Sequence, residues 1–198
     1  IPENATRMAA LQAGQVDLVR AVPADSWNTW AGNPDFKTAK TAQGGLGSAL
    51  EFNVTKPPTH DLRVRQALNH LLDRKQIILG YYAGINDPAA GVLSPYTMGY
   101  EPKSEMYPFD PDKALALLEE AGWKINPATG KMENAAGEQL HFEYITLTGV
   151  QGMAVIVQGL LEEYGISVNI ISEDNPAQQQ DAQQGKHNIV WTGWSRLT

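Results

Sequence analysis

Val64, Ala67, Leu68, Leu71 and Leu72 recur at i, i+3, i+4, i+7 and i+8, one apolar face of an α-helix. Pro57-Pro58 breaks the chain ahead of this stripe, and Asp61 is placed to cap its first turn. Asp73 caps a following helix that carries Ile77, Ile78 and Tyr81. A second inner stripe, Ala114, Leu117, Leu118 and Ala121, starts behind Asp110-Pro111 and stops at Gly122. Proline at the first helical position makes that a strong start signal. A third stripe, Met153, Ile156, Val157, Leu160 and Leu161, predicts a helix over 152–164 that ends at Gly165. The stretch from Gly84 to Pro108 has prolines at 88, 95, 102 and 108 and predicts a long surface loop, a length that usually goes with function.

Between these helices the pattern shortens to strands. Ser48 to Val54, Leu140 to Leu147, Ile166 to Ser172 and Ile189 to Thr192 each read as a sheet strand, and Asn126 to Gly137 as a small hairpin with turn residues on both sides of Lys131-Met132. Pro176 to Gln184 reads as a polar, glutamine-rich helix. Nearer the start, the pattern predicts a helix from Asn4 to Ala13 with Asn4 as N-cap, a buried strand from Val16 to Val22, a short helix from Pro23 to Trp30 and a strand from Phe36 to Thr41. Gly44-Gly45-Leu46-Gly47 is a turn. Strands alternating with helices imply an α/β layer architecture.

Composition narrows the function classes. At 198 residues the chain suffices for one domain or a large lobe. The net charge of −7 opposes nonspecific nucleic-acid binding. The absence of cysteine removes disulfides, thiolate metal sites and a cysteine nucleophile. Apolar runs fall far short of the ~20 residues that span a bilayer. Ile1 opens without methionine or a signal-peptide pattern, and the chain reads as cut from a longer one.

Nothing in the residues announces catalysis. His60, His70, His141 and His187 share no metal-ligand spacing, and no Gly-x-Ser-x-Gly elbow supports a serine hydrolase. Glu119-Glu120 and Glu162-Glu163 fall on outer helix faces, where paired carboxylates are solvated charge. The Gly44–Gly47 turn lacks the Lys-Ser/Thr of a phosphate loop and leads into a strand. Asn53 opens an Asn-Val-Thr sequon, for which a hydrogen-bonding role at a strand end is the expected use. No cofactor is expected, and the reading is of a non-enzyme, with an α/β hydrolase as the rival.

Four motifs in order carry a resemblance. Arg7-Met8-Ala9-Ala10-Leu11-Gln12-Ala13-Gly14-Gln15-Val16-Asp17 comes first, with Leu18 in place of a customary isoleucine. Glu51-Phe52-Asn53 with Pro58 and the helix from Arg63 to Arg74 follows, then Pro108-Phe109-Asp110-Pro111-Asp112-Lys113 with Ala121-Gly122-Trp123. Gly165-Ile166-Ser167-Val168 and the Gly193-Trp194 ending complete the set. Together they resemble the extracytoplasmic solute-binding proteins of the peptide/nickel ABC transporter family (family 5). The resemblance implies one lobe, the second, of a two-lobed type II periplasmic-binding-protein-like fold, a mixed sheet flanked by helices over 1–198, with the first lobe outside this chain. It also implies a small, peptide-like solute captured between the lobes, a membrane permease as partner, a monomer, and a periplasmic or cell-surface location with the signal peptide outside the fragment. Oligosaccharides and metal chelates are the alternative solutes.

The same resemblance points to Trp191, Gly193 and Trp194 for the cleft, since ligands of open α/β sheets collect at strand C-termini and indole faces suit apolar or sugar surfaces. Ser195 and Arg196 follow directly and can donate to a carboxylate. Tyr96 joins the set through the long proline-rich loop. One departure matters. Peptide binders of the family commonly hold an aspartate three residues after the terminal tryptophan, where it pairs with the peptide ammonium group, and this chain has Leu197.

Overall fold

The computed structural model describes residues 3–20, 22–40, 47–89, 91, 93–101 and 107–193. In chain order its helices are α1 (Asn4–Gln12), α2 (Trp27–Ala31), α3 (Leu62–Leu71), α4 (Arg74–Tyr82), α5 (Pro111–Glu120), α6 (Gln151–Glu162) and α7 (Asn175–Gln183). The strands are β1 (Ser48–Phe52), β2 (Lys124–Ile125), β3 (Met132–Glu133), β4 (His141–Leu147), β5 (Ser167–Glu173) and β6 (Ile189–Gly193). The main sheet has the order β1-β6-β4-β5, with β4 parallel to both β5 and β6 and β1 antiparallel to β6. The predicted mixed sheet flanked by helices is therefore present.

The start signals act as the residue chemistry demands. Asp61 accepts from Arg63 N at 2.9 Å, Asp73 from Lys75 N at 2.9 Å, and Asp110 from Lys113 N at 3.0 Å, each occupying a backbone donor that the helix leaves free. Behind those caps, the α3 stripe buries Val64, Ala67, Leu68 and Leu71 against Ala114 and Leu118 of α5. The same core takes Phe142 and Tyr144 of β4, Val168 of β5, Ile189 of β6, and Ala154, Val157 and Leu161 of α6. The β2–β3 hairpin is locked beneath Gly165, where φ is +72°. A Cβ there would lie 2.2 Å from Gly130 O and 2.7 Å from Met132 N, so only glycine lets the hairpin approach.

The N-terminal third departs from its pattern. Residues 16–20 and 22 form no strand, and Leu18 is 81% exposed. A short apolar run becomes a strand only beside a partner, and the strand neighbours here are β1, β6, β4 and β5. Residues 36–40 are also irregular, and Thr41 lies outside the described residues. Phe36 spends its apolar surface on a ring contact with Trp30, edge to face at 4.9 Å. Pro23–Trp30 resolves into a 3-10 turn (Ala24–Ser26) followed by α2. Glu3, not Asn4, is the N-cap of α1; Asn4 sits inside the first turn and accepts from Arg7 Nη2 at 2.5 Å.

Candidate functional site

The three parallel strands bring their C-terminal ends to one edge of the sheet. The chain leaves β4 through α6 to β5, then returns past β4 through α7 to β6. Open α/β sheets hold ligands in the crevice outside such a reversal, and here it falls between β4 and β6. The two strands part at that end. Their pairing is Tyr144–Ile189 and Ile145–Val190, and the next carbonyl, Trp191 O, accepts instead from Gln178 Nε2 of α7 at 3.0 Å.

Trp191 and Gly193 stand on this edge. Trp191 points to the core face and, with Leu50, packs half-buried against the cluster that holds Ile189. Its indole lies across Gly193: a Cβ at 193 would meet Trp191 Cη2 at 2.8 Å and Cζ2 at 3.0 Å. Glycine at 193 is what allows the ring to cover the strand end. Trp191 Nε1 is buried and has no acceptor. Tyr144 and Thr146, on the same face of β4, are fully buried, and neither hydroxyl completes a hydrogen bond of good geometry. Burial pushes the Tyr144 phenol well above its ordinary range, while the adjacent Thr146 hydroxyl works weakly the other way. Tyr81 of α4 lies close to the Tyr144 phenol and packs its ring on Gly152, in the first turn of α6.

The other site residues divide. Trp194, Ser195 and Arg196, with Leu197, lie outside the described residues. Tyr96 is 68% exposed in a turn closed by Thr97 N on Ser94 O, and among the described residues its own hydrogen bond, to Ser94 Oγ, is local. Sequence reasoning read Tyr144 and Thr146 only as strand residues and passed over Gln178. The one available signal was a hydroxyl pair at i, i+2 near the end of a strand that α/β topology makes central.

Two other groups merit comparison with this edge. On the opposite face of the sheet, His141 bridges Ser167 Oγ at 2.9 Å and Glu143 Oε1 at 3.1 Å, and Asn169 donates to Glu143 Oε2 at 2.7 Å. Burial raises the Glu143 carboxyl, but these bonds outweigh it and leave the group below its usual range. This is a serine–histidine–glutamate contact on an open strand surface, with His141 44% exposed at its side chain. At the far end of the sheet, a cleft of about 540 Å³ is lined by Pro57, Pro58, His60, Asp61, Trp123 and Ala136, among others. Its one carboxylate, Asp61, is already engaged by Arg63 at 2.6 Å. Asn53 beside it donates to Gly185 O and His187 O, both at 3.2 Å, the strand-end role expected of it. Among the described residues no three His, Asp or Glu side chains gather as a metal site, and no helix is long and apolar enough to cross a membrane.

The family model described as bacterial extracellular solute-binding proteins, family 5 Middle, matches residues 1–197. The chain belongs to this family. It is 30% identical over 203 residues to the nickel-binding periplasmic protein of Escherichia coli, covering 96% of this chain and 37% of that one. Among solved structures, NikA from Brucella suis in complex with Fe(III)-EDTA superposes with a TM-score of 0.86 at 26% identity, over 98% of this chain and 40% of that one. The oligopeptide-binding protein AppA from Bacillus subtilis, in complex with a nonapeptide, gives a TM-score of 0.79 at 26% identity, over 99% and 40%. The type II binding-protein fold follows from these likenesses. The chain thus spans less than half the length of each of these relatives.

Proposed function

We propose that this chain is the second lobe of a two-lobed extracytoplasmic receptor that captures a small solute in the cleft between lobes and presents it to a membrane ABC permease. The observation that carries the reading is a family match along the whole chain, joined to a strand-end crevice between β4 and β6 that keeps buried polar groups without partners. Capture is reversible and needs no bond making. Lobe closure about a hinge supplies the state that a permease distinguishes. The receptor acts as a monomer and takes no part in nucleic-acid binding or catalysis.

A peptide-like solute is the first choice, as in the AppA complex, and the missing aspartate at Leu197 argues against an ammonium clamp of the usual kind. Metal chelates are the second choice, on the likeness to the Fe(III)-EDTA complex of NikA. Trp191, Gly193, Trp194, Ser195, Arg196 and Tyr96 are proposed as this lobe's contribution. A thermal-shift screen of the intact two-lobed protein against peptides, chelates and oligosaccharides tests the reading. Solute at a hundredfold excess over Kd stabilises by about 2.7 kcal/mol. A shift with one class, abolished by Trp194→Ala, is expected. Turnover of a chromogenic ester without any shift would replace the receptor by an enzyme.

A further inference from the structure

A helix that is apolar on every side is normally buried. In this structure α4 breaks that rule. After Lys75 it runs Gln76, Ile77, Ile78, Leu79, Gly80, Tyr81 and Tyr82 without a charge, yet none of its residues is buried, and Leu79 is 68% exposed. It lies close on α6: a Cβ at Gly80 would sit 2.9 Å from Ile156 Cδ1, and one at Gly152 would sit 3.4 Å from the Tyr81 ring. Beside that seam, the outer positions of α6 at Gly152, Val155 and Gly159 are exposed, Val155 to 56%. No Asp, Glu, Lys, Arg or His occurs from 76 to 86 or from 144 to 161. By contrast, α5 exposes Asp112, Lys113, Glu119 and Glu120. Among the described residues the α4–α6 face is thus uncharged and uncovered, on a chain of net charge −7. Exposed apolar surface of this kind marks a contact site, and the centres of such contacts are poor in charge.

The position of the face selects its partner. Only the 3-10 turn Thr148–Val150 and Gln151 separate Gly152 from the end of β4, so the face begins at the C-terminal edge of the parallel strands. That edge is the one on which the proposed first lobe closes. The chain covers 37% of the nickel-binding protein of Escherichia coli and 40% of NikA, so more than half of each relative's length lies outside the matched part. A lobe tied into the same polypeptide meets the face at high effective concentration, whereas a separate molecule must give up its freedom of motion to do so. The partner surface must also be uncharged, because a charge buried here would find no counter-charge. We propose that the α4–α6 face, with Leu79 and Val155 exposed on it, packs against an apolar, uncharged surface of the receptor's first lobe. This rests on the receptor reading and adds to it a contact between lobes outside the solute crevice.

Thiol labelling of the intact receptor tests the contact. The chain has no cysteine, so Leu79→Cys and Val155→Cys each add one reporter thiol to it. Val54→Cys is the control: Val54 is 59% exposed, close to the 56% of Val155, and follows Asn53 at the other end of the sheet. All three side chains are exposed in this lobe, so the substitutions leave its core intact. Maleimide labelling, corrected for the unsubstituted receptor, should run about tenfold slower or more at 79 and 155 than at 54, because a covered thiol reacts only when the contact opens. That protection should survive dilution of about a hundredfold, since a contact within one polypeptide does not depend on concentration. Equal rates at the three positions leave the face in water and overturn the proposal. Protection that disappears on dilution assigns the face to a second copy of the chain and overturns it as well. The receptor reading fails separately. A protein that answers a solute in the thermal-shift screen but labels at full rate loses only this contact, whereas slow labelling in a protein that answers none keeps the contact between lobes and removes the solute receptor.

Discussion

The two ends of the parallel strands differ in how far they satisfy their buried polar groups. At the N-terminal end of β6, the Asn188 side chain accepts from Glu143 N at 3.0 Å and donates to Pro57 O at 2.8 Å, while Thr59 Oγ1 donates to Asn53 O at 2.7 Å. Asn53 in turn ties to Gly185 and His187, so the loop before α3, the entry of β6 and the middle of β4 form one hydrogen-bonded network, with His187 Nδ1 beside it buried and unpartnered. At the C-terminal end, the Tyr144 and Thr146 hydroxyls and Trp191 Nε1 are buried without a hydrogen bond of good geometry, and the β4–β6 ladder opens. A satisfied buried network fixes a unique structure, whereas an unsatisfied buried group is costly and loosens it. On the proposed receptor reading, stability belongs to one end of the sheet and recognition to the other.

The contrast yields graded expectations. The largest effect belongs to Asn188→Ala, which orphans Glu143 N–H and Pro57 C=O inside the core and should cost about 2–4 kcal/mol, read by denaturant unfolding. Gly165→Ala should come close behind, at about 2–3 kcal/mol, because strained φ and contact with Gly130 O act together. Equal stability of either variant and wild type would break the account of how β6 and the hairpin are anchored. Gly193→Ala should be milder for folding, since only the edge of the Trp191 ring must move, yet it should weaken solute binding more than tenfold. Weakened folding with intact binding would reverse the assignment of the two ends.

The smallest expected effect is on pH. His187, beside the hydrogen-bonded network, is buried, and that burial together with the nearby Lys56 cation holds its pKa below the ordinary value of 6.5. A depressed histidine binds fewer protons folded than unfolded, so its stabilisation is complete above the unfolded pKa and is lost as pH falls from about 6.5 through the folded value. His187→Gln should flatten the unfolding free energy over that window. A slope that persists in the variant would place the titration elsewhere.

How much of this was legible in the sequence depends on the kind of interaction. The caps at Asp61, Asp73 and Asp110 and the α3, α5 and α6 stripes were readable because helix signals are local and periodic. The Val16–Val22 strand failed because strand formation rests on a distant partner that residue pattern does not reveal. Trp191 and Gly193 were put forward through family motifs, while Tyr144, Thr146 and Gln178 were read only as strand and helix residues. Whether a buried hydroxyl is satisfied depends on three-dimensional neighbours, so the i, i+2 spacing of Tyr144 and Thr146 marks a shared face but not their hydrogen bonding.

The most direct test of the central claim is amide hydrogen exchange on the intact receptor with and without bound solute. Protection should rise at 147–152 and 191–193, around the opened β4–β6 edge, and stay unchanged at 53–60 and 185–188. Protection gained instead around Pro57, His60 and Trp123, at the opposite cleft, would contradict the assignment of recognition to the C-terminal strand ends.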